Sequence, residues 1–138
     1  EDDDYATVYA EYDLTVELVG TNTLTQTEDV SNVIYVWTAD LTVDGNGKLI
    51  GTSKGCGLYA IGNLTINGGT IAVTSEYQSI MSGWGNVSIN GGDIIAETTL
   101  IGDCIYANYD LTINGGNVTV ISPNHTLVGG RSLTVAGH

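Results

Sequence analysis

Short apolar–polar–apolar segments recur along this chain, and polar turns that contain glycine separate them. The clearest copies form a seven-residue motif, which reads NLTINGG at 63–69, NVSINGG at 86–92 and DLTINGG at 110–116. Shorter copies are DLTVEL at 13–18, DLTVDG at 40–45 and SLTVAG at 132–137. The first apolar residue of each copy recurs every 22 to 27 residues, at Leu14, Leu41, Leu64, Val87, Leu111 and Leu133. A repeat of this length predicts a solenoid of stacked coils.

Each repeat contains three strand-like segments. In the motif itself, alternation at period two places the apolar residues inside and Thr or Ser outside. A second segment follows the glycines, as at 71–73, and a third precedes the next motif, as at 58–60. Three strands in each repeat of about 23 residues predict an all-β fold, a parallel β-helix of about six coils. We expect a single domain over 1–138, without evident end caps, that begins with an acidic and flexible tail at 1–6.

The turns agree with this prediction. Asn67, Asn90 and Asn114 each precede a pair of glycines. Asn tolerates the left-handed backbone conformation of a sharp bend, and glycine tolerates it better. Stacked asparagines can also hydrogen-bond from coil to coil, so the column itself is expected to stabilise the solenoid.

The charge narrows the choice of partners. The chain has sixteen acidic and three basic residues, and its formal net charge is therefore −13. This balance excludes the basic footprint that nucleic acid binding requires, and no apolar run is long enough for membrane insertion. The chain begins at Glu1 without an initiator Met, which fits a mature secreted or cell-surface protein, although an arbitrary boundary would look the same. Cys56 and Cys104 are expected two coils apart, so free thiols are favoured over a bridge within or between chains.

Aromatic residues recur at one position of the third segment, at Tyr9, Tyr35, Tyr59 and Tyr106, and Ser82 and Val128 are expected to interrupt this column. Tyr12, Trp37, Trp84 and Tyr109 follow it, near the next turn. Stacked rings can form a platform for sugar rings or for another protein, and they can equally well stabilise a solenoid by themselves. The predicted carbohydrate-binding residues are Tyr35, Trp37, Tyr59, Trp84, Tyr106 and Tyr109.

Polar columns are predicted on the outer face of the motif strand. One is a nearly complete threonine column, which favours a solvated sheet face or a polysaccharide contact over an ice-binding surface with two such columns. Acidic residues on adjacent coils form two candidate calcium sites, Asp13 with Asp40 and Glu17 with Asp44. Calcium prefers six to eight oxygen ligands, and the alternative is an ordinary solvated acidic surface.

The segments YDLTVELVGTNTLT at 12–25 and GLYAIGNLTINGGTIAVTS at 57–75, with the repeated NGG turns, resemble a known family over nearly the whole chain. It consists of bacterial secreted β-helix proteins described as carbohydrate-binding domain-containing, typical of clostridia and gut Firmicutes. The resemblance implies binding of cellulose or acidic plant or cell-wall sugars, binding of Ca²⁺, and a right-handed helix similar to that of pectate lyases.

Catalysis is not expected. Lys48, Lys54 and Arg131 are too few and too scattered to supply the base of a lyase, and Asp93 and Glu97 lie about 13 Å apart in an extended strand. A glycosidase needs two carboxyl groups at about 5–9.5 Å. The protein is therefore expected to be a non-catalytic extracellular polysaccharide binder.

A structural role is the competing hypothesis. One end of the chain is acidic and the other carries its histidines and its arginine, so subunits could stack head to tail into a filament or an adhesin stalk. The predicted self-assembly residues are Asp2, Asp3, Asp4, His125, Arg131 and His138. A slice of a longer β-helix would equally explain uncapped ends.

Overall fold

The computed structural model describes residues 5–29 and 31–136, which form 17 strands in three parallel sheets. Sheet A contains β1 (Tyr5–Ala10), β4 (Ser31–Val36), β7 (Leu58–Ala60), β10 (Ile80–Ser82), β13 (Ile105–Ala107) and β16 (Leu127–Gly129). Sheet B contains β2 (Leu14–Leu18), β5 (Leu41–Gly45), β8 (Leu64–Ile66), β11 (Val87–Ile89), β14 (Asp110–Ile113) and β17 (Ser132–Val135). Sheet C contains β3 (Thr21–Thr25), β6 (Lys48–Ser53), β9 (Thr70–Ser75), β12 (Asp93–Thr98) and β15 (Asn117–Ile121).

The predicted parallel β-helix is confirmed. Consecutive strands visit sheets A, B and C in turn, so the described residues form five complete coils and two strands of a sixth. β1 begins at Tyr5 and therefore includes two residues that the sequence places in the acidic tail. Within the described ranges there is no helix long and apolar enough to cross a membrane. The right-handed sense of the coils stays a prediction.

The core consists of apolar columns that run through the coils in register. Leu41, Leu64, Val87 and Leu111 pair with one another along sheet B, and their side chains are fully buried. The same column is only partly covered at the ends, where Leu133 is 47% exposed. Burial of one such side chain is worth about 1.5–3 kcal/mol. The inner coils therefore contribute most of the hydrophobic stabilisation.

Asparagines and glycines stack at the corner between sheets B and C, as predicted. The Nδ2 of Asn90 donates to the Oδ1 of Asn67 at 2.8 Å, and the Nδ2 of Asn114 donates to the Oδ1 of Asn90 at 2.8 Å. The positive φ, however, belongs to the second glycine of each pair, Gly69, Gly92 and Gly116, and these asparagines do not adopt it. The asparagines thus contribute hydrogen bonds to the corner, and the left-handed conformation comes from glycine alone.

A buried cluster of hydroxyl groups fills the corner between sheets C and A, and sequence reasoning missed it. The Ser79 Oγ lies 3.0 Å from the Ser75 Oγ and 3.2 Å from the Thr98 Oγ1, and it donates to the Glu97 carbonyl at 2.8 Å. All three hydroxyl residues are at most 1% exposed. The sequence did contain an indication of this cluster. Ser75 and Thr98 are paired residues at strand positions where the alternating pattern predicts a buried apolar side chain.

The two cysteines are thiols and do not form a disulfide with each other, which agrees with the favoured interpretation. Cys104 is buried, and its Sγ donates to the Ala96 carbonyl at 3.0 Å. Cys56 is partly buried, with its Sγ 3.7 Å from the Gln78 Oε1. Each thiol thus contacts a neighbouring residue, and the two thiols do not pair with each other.

Candidate aromatic binding site

Four exposed aromatic side chains lie at the corner between sheets A and B, and we call this row the aromatic corner. Their exposed fractions are 81% for Tyr12, 45% for Trp37, 71% for Trp84 and 42% for Tyr109. They belong to coils 1, 2, 4 and 5, and the half-buried Ile61 occupies the corner of coil 3. Successive coils are about 4.8 Å apart, so these turns follow one another along the solenoid axis, with Trp37 one position earlier in its turn than Trp84.

Backbone hydrogen bonds between coils fix the positions of these rings. The Trp84 N–H donates to the Ile61 carbonyl at 2.8 Å, and the Tyr109 N–H donates to the Gly85 carbonyl at 3.0 Å. Trp37 is followed by Thr38, whose φ of +62° is rare for a β-branched residue. The corner of coil 2 therefore holds local strain next to an exposed ring.

A polar ladder lies directly beside the aromatic corner. The Oδ1 of Asp13 accepts the Asp40 N–H at 3.0 Å, and the Oδ1 of Asp40 accepts the Asn63 N–H at 2.8 Å. The pattern continues, because the Asn63 Oδ1 accepts the Asn86 N–H at 2.9 Å and the Asn86 Oδ1 accepts the Asp110 N–H at 3.0 Å. The side chains of this predicted column thus bind backbone, which makes the corner rigid.

The tyrosine column of sheet A backs onto the same corner. The Tyr35 ring centroid lies 5.8 Å from that of Tyr9, 4.9 Å from that of Tyr59 and 6.2 Å from that of Trp37. Tyr35 is only 3% exposed, whereas Tyr9 is 50% exposed. The Tyr35 ring therefore supports its neighbours, and a ligand would reach little of it.

The structure corrects the position at which this column is interrupted. Met81, rather than Ser82, pairs with Tyr59 on one side and with Tyr106 on the other. Ser82 instead points inward, where its hydroxyl donates to the Gly62 carbonyl at 2.6 Å. The sequence alignment of this segment is wrong by one residue, because the turn between β10 and β11, counted between paired residues, is one residue longer than the corresponding turns after β7 and β13. Of the six predicted carbohydrate-binding residues, Trp37, Trp84 and Tyr109 lie in the aromatic corner, and Tyr35, Tyr59 and Tyr106 lie in sheet A.

A charged pair closes the C-terminal end of the aromatic corner. The Arg131 guanidinium lies 5.6 Å from the centre of the Tyr109 ring and forms a two-nitrogen contact with the Asp110 carboxylate. The Arg131 hydrogen bonds, followed by one from the Ser132 hydroxyl, lower the pKa of Asp110 from 3.8 to about 2. The same contact raises the pKa of Arg131. Arg131 thus covers part of Tyr109.

We expect this end of the solenoid to loosen in acid. The pKa of Asp110 is lower in the folded chain than in the unfolded chain, so the stabilisation is complete above about pH 4 and is lost as the pH falls towards about 2. The protection factors of the β17 amides against hydrogen exchange should therefore fall in that range. Arg131→Gln should have low β17 protection factors already at pH 5, with little further change in acid; a wild-type pH dependence of the protection factors in this variant would contradict the assignment.

The two candidate calcium sites are only pairs. Glu17 lies opposite Asp44 in the register of sheet B, and one oxygen each of Asp13, Asp40 and Asp44 already accepts a backbone N–H. No group of three or more acidic, histidine or cysteine side chains suitable for a metal occurs in the described part of the chain. Two carboxylates supply fewer than the six to eight oxygens that calcium requires, so each pair needs further ligands to complete a site.

Of the six predicted self-assembly residues, two lie in the described part of the chain. The Nδ1 of His125 lies 3.0 Å from the Asp103 Oδ1, and Arg131 pairs with Asp110, so both of these candidates already have partners within their own chain. Asp2, Asp3, Asp4 and His138 lie outside the described residues.

Comparison with known proteins adds one finding. The model of a family described as carbohydrate-binding domain-containing protein matches residues 1–128, a range that includes every ring of the aromatic corner. No curated protein and no solved structure matches the chain.

Proposed function

Because the chain belongs to the family of carbohydrate-binding domain-containing proteins, we propose that it binds an extended polysaccharide along the aromatic corner, outside the cell and without catalysing a reaction. The four exposed rings on the turns of one corner carry this proposal. Large amphipathic rings exposed together are costly in water unless a ligand or partner covers them. The aromatic corner offers such rings on coils 1, 2, 4 and 5.

The geometry suits a chain of sugar rings that lies parallel to the solenoid axis. The apolar C–H faces of a pyranose stack on aromatic rings, and Trp and Tyr also offer a polar atom to nearby hydroxyl groups. One coil advances by about 4.8 Å, which is close to the advance of one sugar unit in an extended β-linked chain. Each ring of the corner can therefore meet a different unit.

The charge favours a neutral polysaccharide over an acidic one. The chain has sixteen acidic residues and three basic ones. Two of the basic side chains already form ion pairs, Lys54 with Asp29 and Arg131 with Asp110. An acidic sugar polymer would meet repulsion along the whole surface. We propose a cellulose-like neutral glycan as the ligand and an acidic pectic polymer as the weaker alternative.

Binding without catalysis agrees with the placement of the acidic groups. Asp93 and Glu97 both lie on the outer face of β12, four residues apart, which is about 13 Å along a strand. That separation exceeds the range of about 5–9.5 Å that glycosidases use. Calcium at Asp13–Asp40 or Glu17–Asp44 stays a prediction outside the proposed contact. Calorimetric titration with CaCl₂ tests it directly.

We expect Trp84→Ala to reduce binding to insoluble cellulose about tenfold, since a stacked Trp contributes about 1–2 kcal/mol. Depletion of the protein from solution by increasing amounts of cellulose measures the affinity. Tyr77→Ala is the matched control, because Tyr77 is also an exposed aromatic residue, 38% exposed, but lies at the corner between sheets C and A. Equal losses in both variants, or no cellulose binding by the wild type, would contradict the proposal.

Head-to-tail self-association is the second candidate. The observation in its favour is an open apolar interior at each end of the described coils. A cavity of about 200 Å³ is lined by Val8, Val16 and Leu24, and one of about 400 Å³ is lined by Val118, Val120 and Val135. Electron microscopy of the 138-residue chain over a concentration series tests this candidate. Long fibres with an axial repeat would support it, and dispersed monomers at every concentration would contradict it.

A further inference from the structure

We propose that a groove along the corner between sheets B and C is a second glycan subsite, which binds sugar hydroxyl groups by hydrogen bonds rather than by stacking. The inference rests on the proposed ligand class and adds a separate site for it. The groove has a volume of about 480 Å³, within the range of small-molecule sites. Asp44 and Asn67 line it on the sheet B side, and Thr70, Asp93 and Asn117 line it on the sheet C side; we call these two sides its walls and the glycines between them its floor.

The groove is a fixed consequence of coil stacking. A Cβ atom on Gly91 would lie 2.8 Å from the Asn67 carbonyl oxygen, and one on Gly115 would lie 2.8 Å from the Asn90 carbonyl oxygen. Side chains therefore cannot fill this corner without moving the coils apart. The asparagine ladder holds one wall in place, and a hydrogen bond of 2.8 Å from the Asn117 Nδ2 to the Asp93 Oδ1 holds the other.

One end of the groove is closed by a longer turn. Three residues separate Asp44 from Lys48 in coil 2, whereas two separate Asn67 from Thr70 in coil 3. Asn46, in the middle of the longer turn, is exposed and lines the groove. The site is thus a trough along the axis of coils 3 to 5 that ends at coil 2.

The polar groups of the groove complement hydroxyl groups. The peptide N–H groups of Gly68, Gly69 and Gly92 have no partner within the described chain, so they are available as donors. The exposed carboxylates of Asp44 and Asp93 are acceptors on the two walls. A sugar hydroxyl both donates and accepts, so it can bridge a donor on the floor and an acceptor on a wall. The carboxylates oppose anionic ligands, which leaves neutral sugars as the fitting class.

The groove and the aromatic corner are two separate lines on one sheet. They flank sheet B, and four residue-to-residue steps, from Asn63 to Asn67, separate them in coil 3. Four extended residues span about 13 Å. One short oligosaccharide that lies along the axis therefore occupies one line or the other, and two molecules can bind together.

Nuclear magnetic resonance of the ¹⁵N-labelled chain during titration with cellohexaose tests the second site. We expect the amide signals of Gly68, Gly69 and Gly92 to shift in the wild type and equally in Trp84→Ala. Asp93→Ala should weaken the binding read from these glycines about three- to tenfold, the effect of one lost hydrogen bond, while the Trp84 indole signal titrates as before. Glu28→Ala is the control, because it removes an exposed carboxylate outside both sites. It should change neither the titration of the groove glycines nor that of the Trp84 indole.

The outcomes separate the two proposals. Shifts of the Trp84 indole without shifts of the groove glycines would overturn the second subsite and leave the aromatic corner. Shifts of the glycines alone would overturn the aromatic corner and support the groove. A flat titration at both places would overturn both. Asn117→Ala gives a second test of the same wall if Asp93→Ala loses the circular dichroism spectrum of the wild type.

Discussion

Gly92→Ala is expected to lower the free energy of unfolding by about 2–5 kcal/mol, because two separate costs coincide at this residue. Gly92 has a φ of +100°, which a residue with a Cβ adopts only under strain. An added Cβ would also lie 2.8 Å from the Gly69 carbonyl oxygen. That oxygen accepts the Asp93 N–H at 2.9 Å, so the clash would disturb a hydrogen bond between coils. Urea denaturation followed by circular dichroism measures the loss.

Gly20→Ala is the matched control, because it separates the conformational cost from the clash. Gly20 also has a positive φ, +68°, but an added Cβ would meet nothing within 4 Å. We expect this variant to lose only about 1 kcal/mol. Equal losses for the two variants would mean that backbone conformation alone explains the glycines. The stacking argument for the NGG turns would then fail.

The repeated motif was sufficient to predict the coils. The spacing of Leu41, Leu64, Val87 and Leu111 predicted one column, and the structure places all four in register and fully buried. The reason is physical: a parallel β-helix repeats the same local environment in every coil, so each coil needs the same residue types at the same positions. The asparagine ladder was predicted for the same reason.

Features outside the motif were harder to predict, because they depend on turn length and on neighbouring coils. The turn after β10 is one residue longer than the turn after β7, so alignment on the motif placed Ser82 where Met81 lies. Tyr35 looked equivalent to Tyr9 and Tyr59, yet rings on both sides and Trp37 bury it. The sequence did not predict the glycine groove. The glycines explained the sharp turns, and nothing in the sequence indicates the surface space that opens where glycine has no side chain.

The rigidity of the aromatic corner bears directly on affinity. The Asp13–Asp110 ladder and the hydrogen bonds between coils hold each ring-bearing turn before any ligand arrives. Binding then costs little ordering entropy on the protein side, and an extended polysaccharide also loses less than a flexible one. Two rings on rigid turns of the same corner therefore contribute nearly their full stacking energy at the same time.

The double variant Trp37→Ala/Trp84→Ala is accordingly expected to bind cellulose about a hundredfold more weakly than the wild type. The two residues belong to turns two coils apart, about 9.6 Å along the axis, which is far enough for their separate tenfold effects to add as free energies. Trp37 also packs against Tyr35, so thermal denaturation should accompany the depletion measurement. Trp84→Ala/Tyr77→Ala is the control, with a tenfold loss expected. If the double variant binds no worse than Trp84→Ala, the two rings do not contact one polysaccharide chain, and the axial arrangement of the ligand is wrong.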